Sequence, residues 1–355
     1  MYTLTTAGEV AVIMIPHNIV DVKSQYRTYR KQADQLGDVY KLLFQRAETA
    51  ADLDRWEGKE NRVRCCGCNL MFSVYQLPDG DKLYRLSGAD FCRVMLCPVC
   101  QWRRAQKLYG EMVQIWDNIF RSYQDIMYDR NRNKIKPALR GLLLTLTVPN
   151  VPGDKLRDTI GKMQRAWNCL NQVKRGGHLP EWAAVKGYYK TLEITYNAQS
   201  QTYHPHYHVL LLVDDDYFRA HYVTRDRWLE IWRRCYGDDR ITQVDIRVLR
   251  GHTAQSMLRN LNEVCKYTVK PSDFLHGSMD ERAEIVATLD KALHKIRRAS
   301  YGGWLKEVRH SLKLDREEAK DLGVDTFPLP DGARKLPNVW LHWASGVGDY
   351  EITEV

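Results

Sequence analysis

The chain has 355 residues, enough for two or three domains of ordinary size with a sizeable buried core. Apolar residues make up 44% and charged residues 27% of the chain, a composition that excludes wholesale disorder. Lys and Arg total 53 against 44 Asp and Glu, and the resulting formal charge of +9 favours a polyanionic partner such as nucleic acid.

The apolar runs of the chain and its cysteines indicate the compartment. No run approaches the roughly 18 residues that a bilayer-spanning helix needs, and the N-terminus lacks the pattern of a signal peptide. We therefore expect a cytoplasmic protein whose cysteines are reduced. Six of the nine cysteines fall between positions 65 and 100, which favours metal binding over disulfide bonding.

The first third of the chain reads as helices around a cysteine-rich segment. Residues 23–50 predict a charged helix with a weak apolar stripe. The turn residues 78–80 predict a hairpin within the cysteine-rich segment 65–100. A polar, basic helix is predicted from Trp102 to about Arg132.

The middle of the chain alternates strand and helix patterns. In chain order, the predicted elements are the strand 142–148, the helix 153–171, the hairpin strands 187–196 and 203–213, the helix 224–235, the strand 241–249 and the helix 253–268. This order predicts an α+β fold with a central, mainly antiparallel sheet and flanking helices. Residues 282–299 predict another basic helix, and the last 30 residues are expected to be mostly irregular.

Three histidines alternate along one predicted strand. His204, His206 and His208 therefore project from one face, an arrangement typical of a divalent metal site rather than of ordinary strand histidines. A hard cation such as Mg²⁺ or Mn²⁺ also needs an oxygen ligand. Glu193, on the neighbouring hairpin strand and on the side opposite Leu192, is the predicted donor.

The predicted helix 253–268 is amphipathic, and chemistry-bearing residues follow its polar face. At about 100° per residue, Glu263, Tyr267 and Lys270 share the side opposite the apolar arc. Taken alone, this is an ordinary solvated face. Beside a metal-binding strand, the tyrosine becomes a candidate nucleophile, the glutamate a candidate general base, and the lysine a candidate partner for phosphate.

Four segments in order resemble the HUH endonucleases, and within them the single-tyrosine replication initiator (Rep) proteins of small rolling-circle plasmids. The segments are 142–150 (LLLTLTVPN), 192–197 (LEITYN), 204–212 (HPHYHVLLL) and 263–270 (EVCKYTVK). The resemblance extends to residues 91–104 and 291–306, and so covers roughly residues 60–306. Each motif is weak alone, but the ordered set is highly specific. The match implies a fold with an HUH-type core.

The resemblance implies a role for each site residue. His206 and His208 match the paired histidine ligands of Mg²⁺ or Mn²⁺, Glu193 matches the carboxylate ligand, and His204 is a further candidate. Tyr267 matches the nucleophile that forms a 5′-phosphotyrosine and leaves a 3′-OH primer, and Glu263 matches the residue that activates water for the terminating cleavage. The implied partners are single-stranded or hairpin origin DNA, a host helicase and a host DNA polymerase, and a homodimer is a candidate assembly.

The cysteines allow two structural zinc sites. The generic double-knuckle spacing selects Cys65, Cys68, Cys97 and Cys100. The family resemblance selects Cys66, Cys92, Cys97 and Cys100, which we favour. Nearby basic residues suggest a DNA-contacting module, with solvated helix charges as the alternative; they are Arg93, Arg103, Arg104 and Lys107.

Taken together, these patterns divide the chain into four predicted parts. They are an N-terminal helical region 1–60, a zinc-binding and DNA-contacting module 61–132, a nicking and joining core 133–275, and a basic helical and irregular region 276–355. The competing functions are a zinc-containing, non-enzymatic DNA-binding regulator and a metal-dependent phosphoesterase that uses water only. An HUH transposase or phage replication protein would share the same chemistry.

Overall fold

The structure is a computed structural model that describes residues 18–127, 139–176, 182, 184–214, 216–249, 261, 264–265, 268–316, 321–325 and 329–354. The chain divides into two compact units. The first comprises Met1–Gly110, Lys270–Asp290 and Leu314–Val355, and the second comprises Glu111–Val269 and Lys291–Lys313. The division into four parts stays a prediction.

The described elements alternate between helices and strands. The helices are α1 (Ile19–Gln45), α2 (Ala50–Arg64), α3 (Pro98–Met127), α4 (Gly153–Gly176), α5 (Asp216–Arg219), α6 (Arg225–Tyr236), α7 (Pro271–Phe274), α8 (Met279–Leu293) and α9 (Trp304–Ser311). The strands are β1 (Asn69–Gln76), β2 (Lys82–Ala89), β3 (Leu139–Thr147), β4 (Val185–Asn197), β5 (Thr202–Asp214), β6 (Val244–Val248), β7 (Ala299–Gly303), β8 (Arg334–Ala344) and β9 (Asp349–Glu354). The predicted α+β class is confirmed.

The first unit is built on a four-stranded antiparallel sheet in the order β2-β1-β8-β9. The predicted hairpin between β1 and β2 is confirmed, and Gly80 adopts the left-handed conformation, φ +92°, that its turn requires. The expectation of an irregular C-terminus is wrong, because β8 and β9 complete this sheet. The local sequence gives little indication of β8, because only Val339 and Leu341 are buried in this strand. Both pair with residues of β1, which is distant in sequence.

The second unit is built on a five-stranded antiparallel sheet in the order β6-β3-β5-β4-β7. Its strands agree with the predicted ones to within three residues at each end, except that β7 was not predicted. Residues 282–299 were expected to be wholly helical, but α8 ends at Leu293 and β7 follows. The last residue of β7 needs to be glycine, since a Cβ on Gly303 would lie 2.2 Å from the Lys186 carbonyl oxygen.

Helices α4 and α6 cover one face of this sheet. The predicted apolar stripe of α4 is confirmed, and each of its members is at most 1% exposed: Leu156, Ile160, Met163, Trp167 and Leu170. The ring of Tyr207 on β5 packs edge-on against Trp167 and Trp232, at centroid distances of 6.4 and 6.5 Å. Because side chains alternate along a strand, the even-numbered residues of β5 face the opposite side.

The predicted helix 23–50 is interrupted, because Thr49 caps a second helix by accepting a hydrogen bond from the Asp52 amide at 3.1 Å. Most of the predicted helix 253–268 lies outside the described residues. Within it, the Cys265 amide donates to the Leu261 carbonyl at 2.9 Å, which is one helical turn.

In the part of the chain that the structure describes, no helix has the length and apolarity needed to cross a membrane.

A buried lysine lies under the helix-covered face of the second sheet. Lys190 is 1% exposed, and its Nζ donates to Gln164 Oε1 at 3.1 Å and lies 3.8 Å from the centroid of the Tyr207 ring. Burial, with the charge of Arg297, lowers the pKa of Lys190 from 10.5 to about 7. The unfolded chain binds the Lys190 proton more tightly than the folded protein does, so protonation lowers the free energy of unfolding at pH values below about 10.5.

Replacement of Lys190 by methionine is expected to stabilise the protein near neutral pH. The lysine contacts partly offset the burial penalty, so we expect a gain of about 1–4 kcal/mol in the free energy of unfolding. The unfolded lysine loses its proton as the pH approaches 10.5, so the gain should be largest below pH 7 and should shrink as the pH rises to 10.5. Urea unfolding at several pH values measures this, and a gain independent of pH would contradict the explanation.

Candidate functional site

Three side chains from two neighbouring strands converge on the face of the second sheet opposite α4 and α6. The β4–β5 register pairs Glu193 with His206, and the strand alternation brings His208 to the same face. Glu193 Oε2 lies 2.8 Å from His208 Nε2 and 3.5 Å from His206 Nε2. The ligand atoms of the three residues all lie within 4.8 Å of one another, so they can meet on one ion.

The electrostatics of this group suit a cation. Burial would raise the pKa of Glu193, but hydrogen bonds from His206 and His208 outweigh it and hold the pKa well below the usual range. The carboxylate is therefore ionised at neutral pH. One carboxylate oxygen and two imidazole nitrogens fit a divalent cation that keeps further positions open for substrate oxygens.

The other ring nitrogens of the histidines are held by the protein. Thr145 Oγ1 lies 3.3 Å from His208 Nδ1, and His206 Nδ1 donates to the His204 carbonyl at 3.1 Å. His204 Nδ1 donates to Asn150 Oδ1 at 2.8 Å. Such contacts fix the ring orientation and leave Nε2 of His206 and His208 for a metal. We singled out neither Thr145 nor Asn150 as a site residue, although Thr145 pairs directly with His208 in the sheet.

Loss of the Thr145 hydroxyl is expected to weaken metal binding at this site. Removal of a residue that orients a metal ligand typically costs about 10–100-fold in affinity, and we expect Thr145→Val to lower the affinity for Mn²⁺ by that factor. Thr145→Ser should retain most of the affinity. Thr147→Val is the matched control, because Thr147 Oγ1 donates to the Gln243 carbonyl instead. Calorimetric titration with Mn²⁺ measures all three variants, and equal affinities would exclude the role.

His204 lies outside the converging group. Burial, with the neighbouring charge of His206, lowers the pKa of His204, so its ring is neutral at pH 7. It borders an open depression of about 560 Å³ together with Asn150 and residues of the β4–β5 turn. The prediction that His204 is a further metal ligand therefore stays a prediction.

The predicted nucleophile Tyr267 and the predicted base Glu263 lie outside the described residues. Thr268, the next residue after Tyr267, is described, and its carbonyl accepts a hydrogen bond from the Ile194 amide at 2.8 Å. Ile194 directly follows Glu193 in β4. Lys270 is the N-cap residue of α7, with Pro271 at the first helical position.

Four cysteine sulfurs cluster in the first unit. Cys66 Sγ lies 3.5 Å from Cys100 Sγ and 3.6 Å from Cys97 Sγ, and Cys92 Sγ lies 3.6 Å from Cys100 Sγ. A tetrahedral zinc with bonds of about 2.3 Å gives sulfur–sulfur edges of about 3.8 Å, close to these distances. The structure thus gathers the four cysteines that the resemblance implies.

The surroundings of the cysteine cluster support a bound cation. The Arg93 amide donates to Cys100 Sγ at 3.2 Å, and Arg93 and Gly67 turn the chain with φ values of 56° and 69°. Close sulfur neighbours raise the pKa of Cys66, so the thiolates need a positive ion to ionise together. Cys65 and Cys68 do not join the cluster: Cys65 is exposed, and Cys68 Sγ donates to the Arg64 carbonyl at 3.2 Å.

The structure corrects the prediction that Arg103 contacts DNA. Arg103 is only 6% exposed, and its guanidinium pairs with Asp325 Oδ1 at 2.7 Å. Lys107 Nζ is also engaged, since it donates to the carbonyls of Asp321 and, at 2.9 Å, Val324. Both side chains therefore tie α3 to the segment 321–325.

The two remaining basic residues, Arg93 and Arg104, lie next to each other at the surface. The side chain of Arg93 is 71% exposed, and its guanidinium lies 3.8 Å from an Asp321 carboxylate oxygen. Arg104 donates to the Arg93 carbonyl at 3.1 Å. DNA contact at this pair stays a prediction.

Known proteins resemble this chain over most of its length. A Bacillus amyloliquefaciens protein named "Protein rep" is 30% identical over 92% of this chain and 94% of its own length. A Streptococcus pneumoniae protein of the same name is 32% identical over 90% of this chain and 88% of its own. One from Lentilactobacillus hilgardii is 33% identical over 75% of this chain and 79% of its own.

No solved structure matches the chain significantly. A family model described as a replication protein matches residues 83–351, which include the Glu193, His206 and His208 group and three of the four clustered cysteines. The match spans about three quarters of the chain and agrees with the names of the relatives. The chain therefore belongs to this replication protein (Rep) family.

Proposed function

We propose that the chain is a rolling-circle replication initiator, a metal-dependent endonuclease that nicks one strand of a plasmid origin and later rejoins it. The observation that carries the proposal is the convergence of Glu193, His206 and His208 on one face of the sheet. The hydrogen bond between Thr268 and Ile194 supports a nucleophile at Tyr267, because each partner directly follows a proposed site residue in sequence.

The chemistry is a transfer of the phosphoryl group to the protein. A divalent cation held by Glu193, His206 and His208 would polarise the scissile phosphate. Tyr267 Oη attacks the phosphorus and forms a new O–P bond while the bond from phosphorus to the 3′-oxygen breaks. Overall, the tyrosine proton passes to the 3′-oxygen, and the products are a 5′-phosphotyrosine and a 3′-OH. The 3′-OH primes a host polymerase as a host helicase opens the duplex.

Termination uses the same site again. Glu263 removes a proton from water, whose oxygen attacks the second scissile phosphorus; the bond to the 3′-oxygen breaks and leaves a 5′-phosphate and a new 3′-OH. This 3′-OH then attacks the phosphotyrosine, the bond from phosphorus to Tyr267 Oη breaks, the proton passes to Tyr267, and the circle is closed. Because the phosphotyrosine is an ester of comparable energy to the bond it replaced, joining needs no ATP. A tyrosine hydroxyl, with a pKa of about 10, needs activation at neutral pH, and Lys270 is the proposed positive group on this chain.

The cysteine cluster is proposed to hold a structural Zn²⁺. Four thiolates complete a tetrahedral zinc and leave no position for substrate. Arg93 and Arg104, beside this cluster, are the proposed contacts to origin DNA. Single-stranded or hairpin DNA is the expected substrate, since the scissile phosphate must be accessible.

A nicking assay tests the proposed function. Labelled single-stranded fragments that tile the replicon encoding the chain are incubated with Mn²⁺ and separated on a denaturing gel. The wild-type protein is expected to give a cut fragment and a slower DNA–protein adduct, and Tyr267→Phe neither. Tyr222→Phe, at a tyrosine that is 60% exposed, is the matched control and should behave as wild type.

The remaining outcomes separate the competing functions. Cleavage without an adduct that survives Tyr267→Phe would favour a phosphoesterase that uses water only. Tight binding to one fragment without cleavage would favour a non-enzymatic regulator. Either result would overturn the proposal of a covalent nicking enzyme.

A further inference from the structure

The open depression of about 560 Å³ lies next to the proposed metal centre. His204, on its wall, is two residues from His206 along β5, which corresponds to a separation of about 7 Å along the strand. Asn150, three residues after β3, the end of β4 and the turn that follows it form the rest of the wall. Its volume is within the range of about 300–1,000 Å³ that is typical of small-ligand sites.

The chemistry of the wall is neutral and rich in hydrogen-bonding groups. Among the described residues that line the depression there is no Lys, Arg, Asp or Glu, so none of them offers a charged side chain to a phosphate. Asn and Gln amides match the donor and acceptor groups on a base edge, and the wall carries Asn197 and Gln199. It also carries the ring of Tyr196, and aromatic rings of this kind stack on unpaired bases.

Hydrogen bonds within the protein hold the Asn150 and Asn197 side chains of the wall in place. Asn150 Oδ1 accepts from His204, and its Nδ2 donates to Thr202 Oγ1 at 3.3 Å. Asn197 Oδ1 accepts from the amides of Gln199 and Ser200 at 3.0 and 3.2 Å, which shapes the turn. The Gln199 side chain, in contrast, makes no hydrogen bond to any residue that the structure describes, so its amide group is available to a ligand.

We propose that this depression is a subsite for one unpaired nucleobase of single-stranded DNA beside the scissile phosphate, read by the Gln199 amide. A base in a duplex has its pairing edge occupied and its faces stacked, so only an unpaired base can enter. The subsite thus selects melted or extruded DNA and adds sequence preference at one position near the cut. This inference rests on the proposed nicking function.

A walk of abasic substitutions tests the subsite. Fluorescent single-stranded oligonucleotides of the bound fragment, each with one abasic position near the cut, are titrated with the full chain and followed by anisotropy without added metal. We expect one position where loss of the base weakens binding by wild type about 5–50-fold. Gln199→Ala should weaken binding to the intact oligonucleotide similarly and lose the sensitivity at that position.

Gln201→Ala is the matched control, because Gln201 is an exposed glutamine of the same turn that does not line the depression. It should keep the wild-type profile. A flat profile for wild type, or a profile unchanged by Gln199→Ala, would overturn the subsite. If the flat profile accompanies normal adduct formation, the subsite alone fails. If the Gln199-dependent position is found but no fragment is nicked, the proposed function fails, and the depression binds an unpaired base with no scissile phosphate beside it.

Discussion

Replacement of His208 by alanine is expected to abolish tight metal binding at the sheet site and to reduce nicking by more than about 100-fold. Loss of a residue that merely orients a ligand costs about 10–100-fold, so loss of the ligand itself should exceed that range. Removal of the His208 ring also removes the hydrogen bond that helps to keep Glu193 ionised. The remaining carboxylate and His206 then offer two ligands instead of three.

Manganese titration and the nicking assay, performed on the same preparations, measure this effect. His221→Ala is the matched control, since His221 lies in the second unit outside the converging group. It should keep both metal affinity and nicking. A His208→Ala protein that still nicks at the wild-type rate would show that the converging residues do not form the catalytic metal centre.

Replacement of Cys100 by serine is expected to eliminate the bound zinc and to destabilise the first unit by about 5 kcal/mol or more. Structural zinc contributes about 10–16 kcal/mol of apparent binding energy in small zinc-binding peptides, and this energy is coupled to folding. The sulfur of Cys100 lies within 3.6 Å of the sulfurs of Cys66 and Cys92. Without it, only three thiols remain to bind the ion, and one of its four coordination positions is left open.

Elemental analysis and thermal unfolding of purified variants measure this loss. Cys65→Ser is the matched control, because Cys65 is exposed and lies outside the sulfur cluster. Cys92→Ser should lose zinc, and Cys65→Ser should retain one zinc per chain. The reverse pattern would restore the double-knuckle assignment.

The face of the second sheet that carries Glu193, His206 and His208 could be predicted from the sequence, because it depends on residues that are close together in the chain. The period-two histidines fix which residues share a face of β5, and the short turn after Asn197 makes β4 its neighbour. Glu193 then has to lie near His206. These inferences need one hairpin only, and the structure agrees with each of them.

The residues that support this face could not be found in the same way. Thr145 reaches His208 through the pairing of β3 with β5, which are separated by a helix and another strand. Asn150 reaches His204 beside the bridge that pairs Val151 with Tyr203. The first sheet shows the same limitation more strongly, since β8 pairs with β1 across most of the chain. Local sequence carries no signal for pairings of this range.

Local charge and cysteine spacing did not identify the partners of Arg103 or the set of clustered cysteines. Arg103 lies among basic residues and resembles a solvated helix position, but its partner Asp325 is 222 residues away in sequence. Spacing alone allowed two cysteine sets that share Cys97 and Cys100. The left-handed turn at Gly67 follows Cys66 directly, and the thiol of Cys66, not that of Cys65 or Cys68, joins the cluster.

Peptide mapping of the DNA–protein adduct tests the central proposal most directly. The adduct is trimmed with nuclease, digested with trypsin and analysed by mass spectrometry. Trypsin cuts after Lys266 but not between Lys270 and Pro271, so the peptide 267–282 carries Tyr267 as its sole tyrosine. We predict a nucleotide attached through its 5′-phosphate to Tyr267. An adduct on any other residue, or cleavage of the origin strand with no adduct at all, would contradict the proposed covalent mechanism.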